Sequence, residues 1–136
     1  MSTRIRQKQE RLEYILEKLT EANQTIPIIV EGKKDEETLR QLSITGTIIN
    51  AKKGGQSLYT LTQAIIAKHP REVILLLDFD RRGKEATNYL KTQLERARII
   101  PNLKYWAQIE RTVGKEVKDI EGLASYMETL KRKLYH

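Results

Sequence analysis

Two acidic clusters, each directly after an apolar run, are the part of the sequence best suited to chemistry. Glu31 follows the run PIIV, and Asp78 and Asp80 come after the run EVILLL. Apolar runs of this length predict buried strands, so each carboxylate is expected where a strand reaches the surface. Carboxylate oxygens without histidine or cysteine favour hard divalent cations such as Mg²⁺, with Mn²⁺ able to substitute. We therefore expect Glu31, Asp78 and Asp80 to form a metal site.

Basic residues surround these acids in the loops that follow the predicted strands. A basic rim around an acidic centre fits a phosphodiester substrate, because cations hold the phosphates while a metal works at one of them. The net charge of +7 agrees with a polyanionic partner, although a merely solvated basic surface would give the same value. Three further residues, Arg111, Lys115 and Lys118, are expected to join the rim. The rim itself consists of Lys33, Lys34, Lys52, Lys53, Arg81, Arg82 and Lys84.

The composition narrows the class of protein. A chain of 136 residues predicts one domain with a core of its own. The absence of cysteine excludes disulfides, thiolate zinc sites and cysteine nucleophiles, and the two histidines lie far apart in the sequence. No apolar run approaches the ~20 residues that span a bilayer, and the N-terminus lacks the apolar stretch of a signal peptide. We expect a soluble, cytoplasmic protein.

Helical and strand patterns alternate along the chain. Helical spacing of apolar residues predicts a helix over residues 3–24, whose apolar stripe would cover either the protein's own core or a partner subunit. Residues 1–25 are therefore expected to form an N-terminal amphipathic helix, and residues 26–136 a domain. Strands are predicted at 28–30, 47–50, 73–77 and, more weakly, 104–107, with a turn at Pro101-Asn102 and helices between the strands, over 83–97 and from 120 to 134.

This alternation predicts an α/β fold with a parallel sheet covered by helices on both faces. If the first and third strands are neighbours, the strand order is 2-1-3-4, and the order reverses where Glu31 and Asp78 emerge. Ligands of open α/β sheets bind at such reversal points. Asp78 and Asp80 would point to the same side if the strand continued through them. Some acids have an alternative structural role, since Asp35, Asp80 and Asp119 are each placed to cap a helix.

The motifs VEGKKD at residues 30–35 and LLLDFDRRG at residues 75–83 resemble the Toprim domain. This domain is shared by type IA and type II topoisomerases, DnaG-type primases, overcoming-lysogenization-defect nucleases and the 5S ribosomal RNA maturation nuclease. The resemblance covers about residues 26–125. It implies a four-stranded parallel Rossmann-like sheet, Mg²⁺ held by Asp78 and Asp80, and Glu31 as general acid/base or additional metal ligand. It also implies a nucleic acid, RNA or DNA, as the partner.

What the chain lacks shapes the expected activity. Without cysteine it has no zinc module of the primase type, and it has no room for the separate tyrosine-bearing domain of a topoisomerase. The resemblance therefore points to a small stand-alone Toprim protein that acts as a metal-dependent nuclease, for example in RNA processing. The alternative is a non-catalytic nucleic-acid-binding or complex-forming module, with the N-terminal helix as the docking element for a protein partner or a second copy. A haloacid-dehalogenase-type phosphatase is disfavoured, because its Asp-x-Asp motif lies on the first strand.

Overall fold

The sheet at the centre of the fold has four parallel strands in the order β2-β1-β3-β4. The structure is a computed structural model that describes residues 2–135, so Met1 and His136, the outer limits of the two predicted segments, lie outside the described residues. The strand order and the α/β class confirm the sequence prediction. The strands are β1 (Ile28–Val30), β2 (Ile48–Asn50), β3 (Glu72–Leu76) and β4 (Ile100–Asn102).

Helices cover both faces of this sheet and create two separate cores. Alternate residues of a strand point to opposite faces, so Ile28 and Val30 of β1 enter one core while Ile29 enters the other. The first core packs under α1, α2, α5 and α6, and the second under α3 and α4. None of the described helices is long and apolar enough to cross a membrane. The helices are α1 (Ser2–Asn23), α2 (Lys33–Gln41), α3 (Leu58–Lys68), α4 (Arg81–Arg96), α5 (Lys104–Val113) and α6 (Glu121–Leu134).

The apolar stripe of α1 packs inside this chain. Leu12 and Leu19 have no exposed surface, and α1 contacts α5 and α6. The end of the helix is tied to the edge of the sheet by Asn23, whose side-chain amide donates to the carbonyls of Ile26 (2.9 Å) and Thr47 (3.0 Å). The amide oxygen of Asn23 accepts from the backbone N–H of Gly46 at 2.8 Å. Of the two coverings considered for this stripe, the chain's own core is the one observed.

The predicted strand at 104–107 is wrong, because these residues begin helix α5. Tyr105 and Trp106 lie on a helix whose buried side continues through Ile109 and Val113. The fourth strand lies earlier, at Ile100–Asn102, where Pro101-Asn102 had predicted a turn. Proline is tolerated there because β4 is an edge strand, so its missing N–H removes no bond from the ladder.

Candidate metal centre

Glu31 and Asp78 lie side by side where β1 and β3 end. Val30 pairs in register with Leu76, so the chain leaves both strands at the same level. The backbone N–H of Asp78 donates to Oε1 of Glu31 at 3.4 Å. Strand order reverses at this pair, with β2 beyond β1 and β4 beyond β3. The two acids predicted from separate motifs thus meet at the switch point of the sheet.

Asp80 is held by helix α4 rather than by the strand. β3 ends at Leu76, so the condition under which Asp78 and Asp80 would point to the same side, a strand that continues through them, is not met. Instead, Oδ1 of Asp80 accepts from the N–H of Gly83 at 2.8 Å, which caps the first turn of α4. The capping alternative for Asp80 is therefore confirmed. Asp80 is exposed, whereas Asp78 is half-buried.

Gly83 allows α4 to start directly against the segment that carries the aspartates. A β-carbon at this position would lie 2.1 Å from the carbonyl oxygen of Asp78 and 2.8 Å from its β-carbon. No side chain fits at such distances without displacing the Asp78 backbone. The glycine in the motif DFDRRG is thus required by close packing, and it fixes the position of Asp78.

The segment between the two aspartates is locked by α5 and the loop after it. The side chain of Phe79 is 7% exposed and its ring lies 5.6 Å, centroid to centroid, from that of Trp106. Nε1 of Trp106 donates to the carbonyl of Leu77 at 2.7 Å, and the N–H of Phe79 donates to the carbonyl of Lys118 at 2.7 Å. Sequence reasoning missed Trp106 because α5 was predicted as a strand. The one available signal was that it is the only tryptophan of the chain.

A second acidic group, which the sequence did not predict as a unit, adjoins the first. Carboxylate oxygens of Asp35, Asp119 and Glu121 lie within 4.8 Å of one another. Asp35 is 6% exposed; its Oδ2 accepts from the N–H of Gly32 at 3.0 Å and its Oδ1 from the N–H of Glu121 at 2.8 Å. Asp35 thus joins the first turn of α2 to the first turn of α6.

The predicted capping roles in this group are resolved in different ways. Oδ1 of Asp119 accepts from the N–H of Gly122 at 2.8 Å. Because Ile120 already has helical angles (φ −67°, ψ −34°), Asp119 takes the position before the first helical residue of α6, and its predicted capping role is confirmed. Asp35 is the third residue of α2, and it reaches back to Gly32 at the N-cap rather than occupying that position. Within residues 2–135, the three acids whose oxygens converge to within 4.8 Å are those of this second group, rather than Glu31, Asp78 and Asp80.

Burial and like charges act together on Asp78. Burial is the largest cause that raises the pKa of Asp78 to about 7, and the charges of Glu31, Asp35, Asp119 and Asp80 add to it in that order. Five carboxylates therefore form one electrostatic unit with an excess of negative charge. A divalent cation relieves this repulsion. An all-oxygen donor set without histidine or cysteine fits Mg²⁺ or Mn²⁺ rather than zinc or copper.

The pKa of Asp35 is also raised, by less than that of Asp78. Burial raises the pKa of its carboxyl, the N–H groups of Glu121 and Gly32 lower it, and the charges of Asp119 and Glu121 raise it again. Its two hydrogen bonds hold Asp35 in place although it lies among other acids.

The seven rim cations predicted from the sequence are all exposed, but they differ in their partners. Four of them form ion pairs within the chain: Lys33 with Glu37 (4.0 Å), Lys34 with Glu121 (3.9 Å), Arg81 with Glu85 (3.1 Å) and Lys84 with Glu110 (2.9 Å). Lys52, Lys53 and Arg82 have no ion pair within the described residues. Exposed pairs are weak, so the four paired side chains can leave their carboxylates for another anion. The other three can contact an anion without first breaking an ion pair.

Lys52 lies beside the backbone that follows Glu31, on the β2 side of the centre. Its Cδ is 4.0 Å from the position that a β-carbon on Gly32 would take, next to Glu31. Gly54 and Gly55, which follow Lys53, have φ angles of 71° and 68°. Left-handed backbone of this kind favours glycine and lets the chain turn immediately after the two lysines.

The expectation for the three further cations was only partly right. The backbone of Lys118 reaches the segment between the two aspartates, where its carbonyl accepts from the N–H of Phe79. Arg111 lies on α5 rather than in a loop after a strand, and it shares a groove with Lys8 of α1, as does Lys115. The difference follows from the wrong assignment of residues 104–107.

The fold and the two motifs agree with the family comparison. Residues 26–112 match the Toprim domain family, and the chain therefore belongs to this family, whose domains bind divalent metal and act in nucleic-acid processing. The chain is similar to the UPF0292 protein MJ1624 of Methanocaldococcus jannaschii, with 36% identity over 118 residues, 87% of this chain and 91% of that protein. A UPF0292 protein of Methanosarcina acetivorans is 35% identical over 129 residues, 94% of this chain and 88% of the relative. A solved structure from Aquifex aeolicus, 23% identical with a TM-score of 0.66, covers 81% of this chain and 95% of its own and shares the fold.

Proposed function

We propose that this protein carries out Mg²⁺-dependent phosphodiester chemistry on nucleic acid, as a small nuclease. The observation that carries the proposal is the position of Asp78, which is half-buried and in contact with Glu31 at the switch point of the sheet. Its surroundings raise the pKa of Asp78 to about 7. A carboxyl this perturbed in a cluster of acids is typical of functional sites. Membership of the Toprim family supports the same reading.

In this proposal Asp78 and Asp80 hold the metal, and Glu31 either completes its ligands or moves a proton. Bound Mg²⁺ supplies Lewis-acid stabilisation of charge on the phosphate and a more acidic water. Oε1 of Glu31 already accepts a bond from the Asp78 N–H. If Glu31 moves a proton, Oε2, which has no hydrogen bond within the described residues, would be the oxygen that takes a proton from the attacking water or returns one to the leaving oxygen.

The rim cations position the substrate. Lys52, Lys53 and Arg82, which have no ion pair in the described part of the chain, hold phosphates on either side of the acids. Lys33, Lys34, Arg81 and Lys84 add to them once the nucleic acid displaces their carboxylate partners. The ring of cations around the carboxylates then places one phosphodiester over the metal.

Cleavage assays test this proposal. Structured RNA, single-stranded DNA and duplex DNA are each incubated with the protein in Mg²⁺ and in Mn²⁺. We expect cleavage of at least one substrate, and we expect Glu31→Gln to slow it about 10²- to 10⁴-fold, the usual contribution of a general acid or base. Glu72→Gln, at the other end of β3, serves as the control and should retain activity. No cleavage with either cation would contradict the nuclease and favour a module that binds nucleic acid without turnover.

A further inference from the structure

Helix α1 sorts its charges into two stripes. Arg4, Lys8 and Arg11 follow one another at spacings of four and three residues, and Glu10, Glu13 and Glu17 do the same on another side. Arg6 is the exception, since the helical period places it on the acidic side. Like charges at these spacings destabilise a helix, whereas alternating signs would stabilise it. No acid lies three or four residues from Arg4, Lys8 or Arg11, so these cations have no partner on their own helix and are open to an anionic partner outside it.

Helix α5 and the loop after it extend the basic stripe. Arg111 lines one groove with Arg4, Lys8 and Arg11, and Lys115 lines the adjoining groove with Lys8. Lys8 is paired with Glu116 at 2.9 Å, but the other four have no ion pair within the described residues and all four are exposed. We define the α1–α5 surface as these four side chains: Arg4, Arg11, Arg111 and Lys115.

An aromatic ring lies at the end of this surface. Tyr14 is 59% exposed and lines a groove together with Arg11 and Arg111. Nζ of Lys18 lies 5.5 Å from the centroid of its ring. Surfaces that bind single-stranded nucleic acid combine cations that follow the backbone with exposed aromatic rings on which bases stack.

The α1–α5 surface is continuous with the rim of the metal centre. Glu110 lines the same groove as Arg111 and Lys115, and its carboxylate pairs with Lys84 at 2.9 Å. Lys84 directly follows Gly83, which packs on Asp78. Along α1 the surface extends for about 10 Å from Arg4 to Arg11, at 1.5 Å for each residue of helix.

We propose that the α1–α5 surface binds the phosphates of a single strand that leaves the metal centre, and that Tyr14 stacks on one of its bases. The proposal rests on the proposed function for the strand's presence at the metal centre. It goes beyond that function because α1 precedes residues 26–112, the part that matches the family. The N-terminal helix is thus a substrate-binding element of the protein.

A matched pair of triple variants tests the surface. Arg4→Gln, Arg11→Gln and Arg111→Gln are combined in one variant, and Arg71→Gln, Lys91→Gln and Arg96→Gln in the control. The control residues are also exposed and also have no ion pair within residues 2–135, and Lys91 and Arg96 belong to α4 on the other face of the sheet. Both variants lose three positive charges, so they differ only in position.

The readout is the fluorescence anisotropy of a labelled single-stranded oligonucleotide of about 16 nucleotides, over a series of salt concentrations and in EDTA. We expect the α1–α5 variant to bind at least about tenfold more weakly, with a salt slope smaller by about two, since each phosphate contact on a single strand contributes about 0.7. The control should stay within about twofold of the original protein. Tyr14→Ala should weaken binding of the single strand several-fold and leave binding of a duplex of the same length unchanged.

Three results would overturn the proposal. They are an equal loss in both triple variants, an unchanged slope in the α1–α5 variant, and competition by polyglutamate as effective as that by unlabelled oligonucleotide, which would indicate an acidic protein as the occupant. Binding is measured without metal or turnover. If the protein cleaves none of the substrates, the proposed nuclease is contradicted, but the comparison of the two triple variants still decides whether the α1–α5 surface binds the strand.

Discussion

The carboxyl ends and the amino ends of the four parallel strands, called here the carboxyl edge and the amino edge, form two different surfaces. At the carboxyl edge, the strands lead into Glu31, Asp78 and Asp80 with cations around them. At the amino edge, the structure has a pocket of about 270 Å³ with a mainly apolar lining that includes Ile26 and Pro70. In a parallel sheet the strands end, and the following helices begin, at the carboxyl edge, whereas the amino edge receives the ends of helices, so the two edges differ in backbone polarity as well as in side chains.

Close packing at a glycine occurs at both edges, and what it positions differs. A β-carbon on Gly83 would lie 2.1 Å from the carbonyl oxygen of Asp78, and one on Gly46 would lie 2.0 Å from the carbonyl oxygen of Asn23. At the amino edge this packing fastens α1 to the sheet through Asn23. At the carboxyl edge it holds in place a carboxyl with a perturbed pKa. The comparison teaches that tight packing by itself does not mark a site; the charge of the group that it holds does.

The largest expected effect separates these two glycines. Gly83→Ala and Gly46→Ala should each lower the free energy of unfolding by about 1–3 kcal/mol, the usual cost of overpacking. Only Gly83→Ala should also abolish Mn²⁺ binding, because it displaces Asp78. Urea unfolding and calorimetric Mn²⁺ titration measure the two quantities. Equal loss of Mn²⁺ binding in both variants would show that the carboxyl edge has no special dependence on its glycine.

The next effect concerns the rim. Neutralising Lys52, Lys53 and Arg82 to glutamine should weaken nucleic-acid binding about tenfold or more and reduce the salt slope by about two to three, one contact for each cation. The control is the variant R71Q/K91Q/R96Q, which removes equal charge away from the carboxyl edge. Binding at several salt concentrations gives the slope. If both variants shift the slope equally, the net charge rather than the rim accounts for affinity.

The smallest effect is a dependence of stability on pH. The pKa of Asp78 is raised in the folded state to about 7 from 3.8, so the folded protein holds a proton that the unfolded chain releases. The stability that this neutral carboxyl contributes is fully present below the unfolded pKa and is lost as pH rises towards 7. In EDTA the protein should therefore be less stable at pH 8 than at pH 5, and Asp78→Asn should reduce this difference. Glu72→Gln should not; identical pH profiles for Asp78→Asn and the original protein would contradict the assignment.

The sequence predicted those parts of the fold that depend on simple patterns. The unbroken apolar runs before Glu31 and Asp78 predicted β1 and β3. The assumption that these two strands are neighbours then gave the observed strand order. The pairing of Glu31 with Asp78 followed from that order alone. Whether Glu31, Asp78 and Asp80 bind the metal remains a prediction.

What the sequence could not predict depends on contacts between distant segments. Tyr105 and Trp106 have high strand propensity, but burial against the sheet of one side of α5 overrides it. Asp35 gave only a helix-start signal, yet its second oxygen bonds to Glu121, 86 positions further along the chain. The larger basic surface to which the stripe of α1 belongs could not be predicted, because it depends on α5 placing Arg111 beside that stripe.

Direct measurement of Mn²⁺ binding tests the central claim that the carboxyl edge is a metal centre. Mn²⁺ affinity is compared by electron paramagnetic resonance for the original protein, Asp78→Asn and Glu72→Gln, which change one carboxylate at each end of β3. We predict that Asp78→Asn weakens Mn²⁺ at least about tenfold, since even indirect partners of a metal contribute 10- to 100-fold, and that Glu72→Gln leaves it unchanged. Equal affinity in all three proteins would contradict the account.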